Sequence, residues 1–166
     1  MQTHMRSHRF PTALGECALS WENSLVYGFT LPGGDLPAPD AAPQPDWIVA
    51  LAARVQRHLT GELQDFSDVP YDVALASTFQ RNVYRATLAI PPGATRTYGE
   101  IAADLSLPPG SARAVAAALG ANPWPLLVPC HRIVGADDRM TGFSGPGGIR
   151  TKTRLLALEG AQLISE

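Results

Sequence analysis

Two β-type apolar runs, ALSWE and LVYGFTL, stand on either side of a polar Asn23-Ser24 pair and predict a hairpin. Residues 32–46 are rich in Pro, Gly and Ala, show no period, and read as a surface loop. Helical spacing then takes over. Trp47, Ile48, Leu51, Val55 and Leu59 fall on one face, with Asp46 as the expected cap and Gly61 as the stop. VALA, residues 73–76, predicts a short strand. This first part is small for independent stability and is expected to pack on the rest of the chain.

The second part is mainly helical. Ser77 caps a helix whose apolar face is Phe79, Val83, Ala86 and Ile90, and Pro91-Pro92-Gly93 ends it. TYGEIAADL and SARAVAAALG, separated by SLPP and Gly110, outline a helix-turn-helix. The second of these helices is expected to start at Ser111 and to end at Gly120 in the C′ position, with Pro123 beyond. LLV, before Cys130, reads as a buried strand flanked by prolines. IRTKTRLLALEG predicts a last helix with Leu155, Leu156 and Leu158 toward the core and Gly160 as its stop.

Length and composition narrow the class. A chain of 166 residues holds one medium domain or two small ones. It has no stretch of about 20 apolar residues, and its first residues lack an apolar signal core, so a cytoplasmic protein away from membranes is expected. Cys17 and Cys130 are far apart and are expected to be free thiols. The net charge of −2 hides an asymmetry. Residues 1–74 carry four Arg and nine acids, a net −5, whereas residues 75–166 carry eight Arg, one Lys and six acids, a net +3. The cysteine-bearing part is thus mildly basic, compatible with a modest phosphate-contacting surface.

SARAVAAALG is unusual for a helix that reads base edges, since it offers Arg113 alone among alanines. Alanine is the best helix former and packs closely, which accounts for most of these positions. Small side chains also let a helix press into a narrow groove without reading sequence, leaving one Arg to insert. A cysteine in an apolar run is ordinarily a small buried hydrophobe, the reading preferred for Cys17. Cys130 differs because His131 and Arg132 follow it at once. Thiolate chemistry needs a group to take the proton, and His131 is nearest. In an extended segment the two side chains point apart, so a turn or a bridging water is required. Glu159 stands where a helix dipole disfavours a carboxylate, so it is either a solvated surface residue or one recruited to hold an imidazole in one tautomer.

Several stretches together identify a resemblance: Asn122-Pro123, Pro129-Cys130-His131-Arg132-Ile133-Val134, Thr97-Tyr98-Gly99-Glu100-Ile101-Ala102, Ser111-Ala112-Arg113-Ala114-Val115, and Lys152 with Leu155-Leu156 and Glu159-Gly160. Their order and spacing resemble the O6-alkylguanine-DNA alkyltransferases, strongly over residues 75–160 and loosely over residues 10–70. The resemblance implies an α/β, ribonuclease H-like unit over residues 1–74. It implies a mainly α, winged-helix-like DNA-binding and alkyltransferase unit over residues 75–166. The implied partner is double-stranded DNA containing O6-alkylguanine, bound by a monomer. The implied reaction is a single irreversible transfer of the alkyl group from O6 of guanine, less often O4 of thymine, to cysteine.

Carried over, Cys130 is the acceptor, His131 the base acting through a water, and Glu159 the carboxylate orienting it. Asn122 resembles the hinge residue between recognition helix and active-site segment. Tyr98 resembles the tyrosine that crowds the 3′ phosphate and lines the base pocket, and Arg113 the arginine that replaces the flipped base. Gln80, Gly99, Ser111 and Ala112 are the further DNA-contacting positions. Phe143, Ser144, Lys152 and Val134 belong to the substrate pocket. Extrusion of the base is required by the chemistry, because a buried thiol does not reach O6 within a stacked duplex.

The chain departs from the family pattern in places. Phe143 stands where many relatives have Tyr, which removes a hydroxyl, and SGPGGIRT is longer and richer in Gly and Pro than in some members. His4, His8, Cys17 and His58 match no compact ligand spacing, so no metal and no cofactor are expected. Two rivals remain. Alkylated-DNA sensors of this kind carry tryptophan at the cysteine position, and a Cys-His hydrolase leaves the paired helices and Arg113 without a use.

Overall fold

The computed structural model describes residues 5–136, 143 and 145–161. Strands β1 (Arg6–Thr12), β2 (Gly15–Glu22) and β3 (Leu25–Thr30) form an antiparallel sheet in that order. The β2–β3 hairpin turns at the polar pair, with Asn23 in the left-handed region (φ 55) that Asn tolerates better than most residues. β2 is the central strand and is buried without interruption from Cys17 to Trp21. Cys17 is thus a core residue, and burial pushes its thiol up to about 12.

β1 was hidden by its polarity. Arg6 is bonded to Asp40 at 2.6 Å, and Arg9 donates to the Leu36 and Pro37 carbonyls at 2.8 Å. The basic residues of this edge strand therefore fasten the Pro-rich loop onto the sheet.

Helix α1 (Asp46–His58) packs against β1 through a face that includes Ile48, Leu51 and Val55. Pro45, not Asp46, holds the N-cap position, and no side chain caps the helix. Asp46 lies one residue inside, where its charge still favours the helix dipole. Gly61 (φ +98) provides the left-handed turn beyond the helix end. Val73–Leu75 is a short 3-10 turn rather than a strand. The extended contact comes just before it, where Val26 accepts from Asp72 and donates to Pro70. The extended pairing ends with the Val26–Tyr71 bridge, and the chain then closes into the 3-10 turn through the bonds of Leu75 N–H to Asp72 O and Ala76 N–H to Val73 O.

Helices α2 (Thr78–Leu88) and α3 (Tyr98–Asp104) both begin with full capping boxes, Ser77 with Gln80 and Thr97 with Glu100. α4 (Ala112–Gly120) follows α3 through a turn with Ser106 and Gly110 at positive φ. Gly120 is the last helical residue and not C′; Ala121 caps the end at φ −93 and ψ 4, so no left-handed residue is needed. The three helices pack together, and the Tyr84 hydroxyl of α2 donates to the Ala118 carbonyl of α4 at 2.7 Å.

Two residues of β4 (Arg96–Thr97) pair in parallel with β5 (Ile133–Val134), and α5 (Ile149–Leu158) is the last element among the described residues. The fold is mixed α/β, a small sheet with helices. Its two parts are bonded together: Phe29 N–H donates to Pro123 O, and Trp124 Nε1–H to Val26 O, each at 3.0 Å. Among the described residues no helix is long and apolar enough to cross a membrane.

Candidate active site

The segment before Cys130 is not a strand. Pro123, Pro125 and Pro129 remove three backbone donors, so no ladder runs through it. Asn122 organises it instead, with Nδ2–H donating to Val128 O at 3.0 Å and Oδ1 accepting from Trp124 N–H at 2.9 Å. Leu126 takes a positive φ of 79 within this closed loop, and Leu126, Leu127 and Val128 plug the core. The chain then enters a 3-10 turn, Cys130–Arg132, before β5. At roughly three residues per turn, neighbouring side chains diverge, so Cys130 and His131 point in different directions.

His131 points to Glu159. Its Nε2 lies 3.0 Å from Oε1, and both side chains are fully buried. Arg132 forks onto the same carboxylate, Nε–H to Oε1 at 2.9 Å and Nη2–H to Oε2 at 2.7 Å, while Nη1–H donates to Ile90 O. His58 Nε2 completes the set, 2.8 Å from Oε2. Burial alone would raise the Glu159 carboxyl. The bonds from Arg132, His131 and His58 outweigh it and hold the group well below the usual carboxylate range. Glu159 is ionised, so His131 Nε2 carries the proton and donates. His131 Nδ1 is left as the basic nitrogen, buried and without a protein hydrogen-bond partner among the described residues. Burial pushes the His131 pKa down, against the pull of Glu159, so the ring is held neutral.

Cys130 is buried, at 6% exposure. Burial pushes its pKa up, while the Asn122 side chain and the Lys152 charge draw it back. Lys152, in α5, is fully buried; its Nζ donates to Ile133 O at 2.6 Å and lies 5.9 Å from the centre of the Tyr98 ring. Burial lowers the Lys152 ammonium to about 8. Val134 is buried in β5, and half-buried Phe143 packs against the core with its ring over Gly145. Ser144 lies outside the described residues.

The other positions lie on the helices. Arg113 is exposed in the first turn of α4, after half-buried Ser111 and Ala112, while Val115, Ala118 and Leu119 face inward. Ser111 donates to Pro108 O at 2.6 Å. Gly99 is exposed in the first turn of α3, and Gln80 spends its side-chain oxygen on the Ser77 amide. The structure therefore gathers Cys130, His131, Glu159, Asn122, Lys152 and Tyr98 around one centre and leaves Arg113, Gly99 and Gln80 at helix starts.

Sequence reasoning missed two members. Arg132 stood inside the Pro-Cys-His-Arg motif with no role, and adjacency to His131 was its signal. His58 was weighed only as a metal ligand, and no local pattern links it to Glu159. Among the described residues no cluster of His, Cys, Asp and Glu is arranged to hold a metal ion.

Fold and site define a class: a mixed α/β protein in which a buried cysteine stands beside an imidazole–carboxylate pair, next to two short helices. Comparison with known proteins makes the class specific. Residues 78–161 match the family model described as 6-O-methylguanine DNA methyltransferase, DNA binding domain. The methylated-DNA–protein-cysteine methyltransferase of Mycobacterium tuberculosis is 44% identical over 117 residues, 70% of this chain and 68% of that one. A DNA base-flipping protein of Thermus thermophilus is 41% identical over 121 residues, 72% of this chain and 79% of that one. The crystal structure of Mycobacterium tuberculosis OGT in complex with DNA superposes with a TM-score of 0.77 at 34% identity, covering 93% of this chain and 92% of the other. The chain belongs to the O6-methylguanine-DNA methyltransferase family.

Proposed function

We propose that this protein repairs DNA directly, moving an alkyl group from O6 of guanine to Cys130 in one irreversible turnover. The observation that carries this reading is the His131–Glu159 contact, because with Nε2 turned to the carboxylate Nδ1 is left as a base for the thiol. In this reading Nδ1 takes the Cys130 proton through a bridging water. The thiolate attacks the alkyl carbon, the C–S bond forms as the C–O bond breaks, and that electron pair leaves with guanine, which regains a proton at N1. The thioether is stable, so the chain acts once.

Asn122 holds the loop that presents Cys130, and Lys152 lends positive charge to the thiolate. Tyr98, Val134 and Phe143 line the pocket for the extruded base, with O4-alkylthymine a poorer substrate. Arg113 fills the gap in the stack, while Ser111, Ala112, Gly99 and Gln80 meet the backbone. For Gln80 the contact runs through its amide end or main chain, since its side-chain oxygen is engaged in capping. Residues 1–74 form the ribonuclease H-like unit and residues 75–166 the winged-helix-like one. The chain works as a monomer on duplex DNA, in the cytoplasm, without metal or cofactor.

The test is to incubate the protein with a duplex containing O6-methylguanine and weigh it. One methyl increment on Cys130, absent in Cys130→Ser although that variant still binds the duplex, is the expected result. A wild-type mass that never changes despite binding would identify a non-catalytic sensor.

A further inference from the structure

Glu159 is gripped by three residues from two segments, the Cys130–Arg132 turn and the end of α1, and the second of these has no role in the steps given so far. His58, the last residue of α1, is completely buried, with Nε2 2.8 Å from Glu159 Oε2. The backbone settles its other nitrogen, because Gln64 N–H donates to Nδ1 at 2.9 Å. A ring nitrogen that accepts a hydrogen bond carries no proton, so the proton is on Nε2. His58 is therefore a neutral donor to Oε2. The loop beyond α1 turns back at Gly61 to bring the Gln64 amide over the ring, and the Phe66 ring packs 5.4 Å away. The charged and titratable groups on its inner side are Glu159 itself, with His131 and Arg132 behind it.

We propose that His58 is a positioning residue for alkyl transfer, holding Glu159 ionised and aimed so that His131 keeps its basic nitrogen toward the thiol. The donors divide evenly between the two oxygens. Oε1 takes His131 and one arm of Arg132, and Oε2 takes His58 and the other arm. Without His58 a fully buried Oε2 loses a donor, and a carboxylate short of donors is more easily protonated. A protonated Glu159 satisfies His131 Nε2 as an acceptor, which moves the imidazole proton to Nδ1. In that tautomer the ring has no lone pair for the Cys130 proton. His58 thus acts two residues removed from the thiol, through Glu159 and then His131.

This inference rests on the alkyl-transfer reading, and the experiment separates the two. The rate of methyl transfer from an O6-methylguanine duplex is measured for the full chain from about pH 5 to about pH 9. Wild type is compared with His58→Phe and His58→Gln. His58→Phe is expected to transfer about tenfold more slowly, with its acid limb moved to higher pH and its duplex affinity unchanged. His58→Gln, whose amide N–H reaches the carboxylate, is expected to recover most of the rate. A His58→Phe variant with the wild-type rate and pH profile would overturn the inference even if its Tm fell, since that pattern belongs to packing alone. Should His58→Phe not fold, nitrogen-15 NMR of wild-type imidazoles decides. Both His58 and His131 are expected as the Nε2–H tautomer, and either ring in another state at neutral pH overturns it. A wild-type chain that gains no methyl mass is a different failure and removes the alkyl-transfer reading itself.

Discussion

A buried carboxylate that accepts four N–H bonds ties stability to acidity. The folded Glu159 carboxyl titrates well below its unfolded value of about 4.3, so its contribution is complete above that pH and falls away as the pH drops beneath it. Glu159→Gln is expected to cost about 3 kcal/mol at neutral pH, because Arg132 is left buried without its counter-charge. The same variant is expected to lose less stability than wild type between about pH 5 and pH 3. Urea denaturation at a series of pH values reads both, and parallel acid slopes would show that the carboxylate is not the titrating group. At this scale Cys130, His131 and Glu159 were legible because a motif places them in order. The grip itself was not. It depends on His58, 101 positions from Glu159, and no sequence period reaches that far.

Helices were the more legible elements, whereas among the strands the β2–β3 hairpin was legible and β1 was not, for a physical reason. A helix bonds within itself, so Ser77 with Gln80 fixes the start of α2 locally. A strand needs a partner edge, and β1, with its Arg and His side chains, becomes one only because β2 lies beside it. The apolar Leu126–Val128 stretch fails to become one because prolines interrupt it and Asn122 closes the loop. α4 was legible as a helix although its end lies beyond the expected one. Its inner face is Val115, Ala118 and Leu119, and its exposed residues are Arg113, Ala114, Ala116, Ala117 and Gly120. Such a surface fits a narrow groove with a single probing side chain. Arg113→Ala is accordingly expected to slow repair of duplex DNA by more than about tenfold while leaving reaction with free O6-benzylguanine within about twofold. Equal slowing of both reactions would remove Arg113 from base extrusion.

Across the whole molecule, bonds between the two parts meet around the reactive centre. Phe29 and Val26 hold Pro123 and Trp124, and His58 holds Glu159. Separating the parts would expose these buried groups together, so unfolding is expected to be one cooperative transition. Tryptophan fluorescence, sampling Trp21 and Trp47 in the first part and Trp124 in the second, should lose signal at the same urea concentration as far-UV circular dichroism. Two resolved steps would show that the parts melt separately. The uneven charge, net −5 against +3, follows the same division and leaves the basic part to carry Arg113. The family match begins at residue 78, yet one donor to the Glu159 carboxylate stands at residue 58 with its own amide support at residue 64. In a chimaera, that donor and its support travel with the amino-terminal fragment. A graft onto a foreign fragment succeeds only where the incoming chain delivers an N–H to the same oxygen, which makes the two fragments a single unit of inheritance.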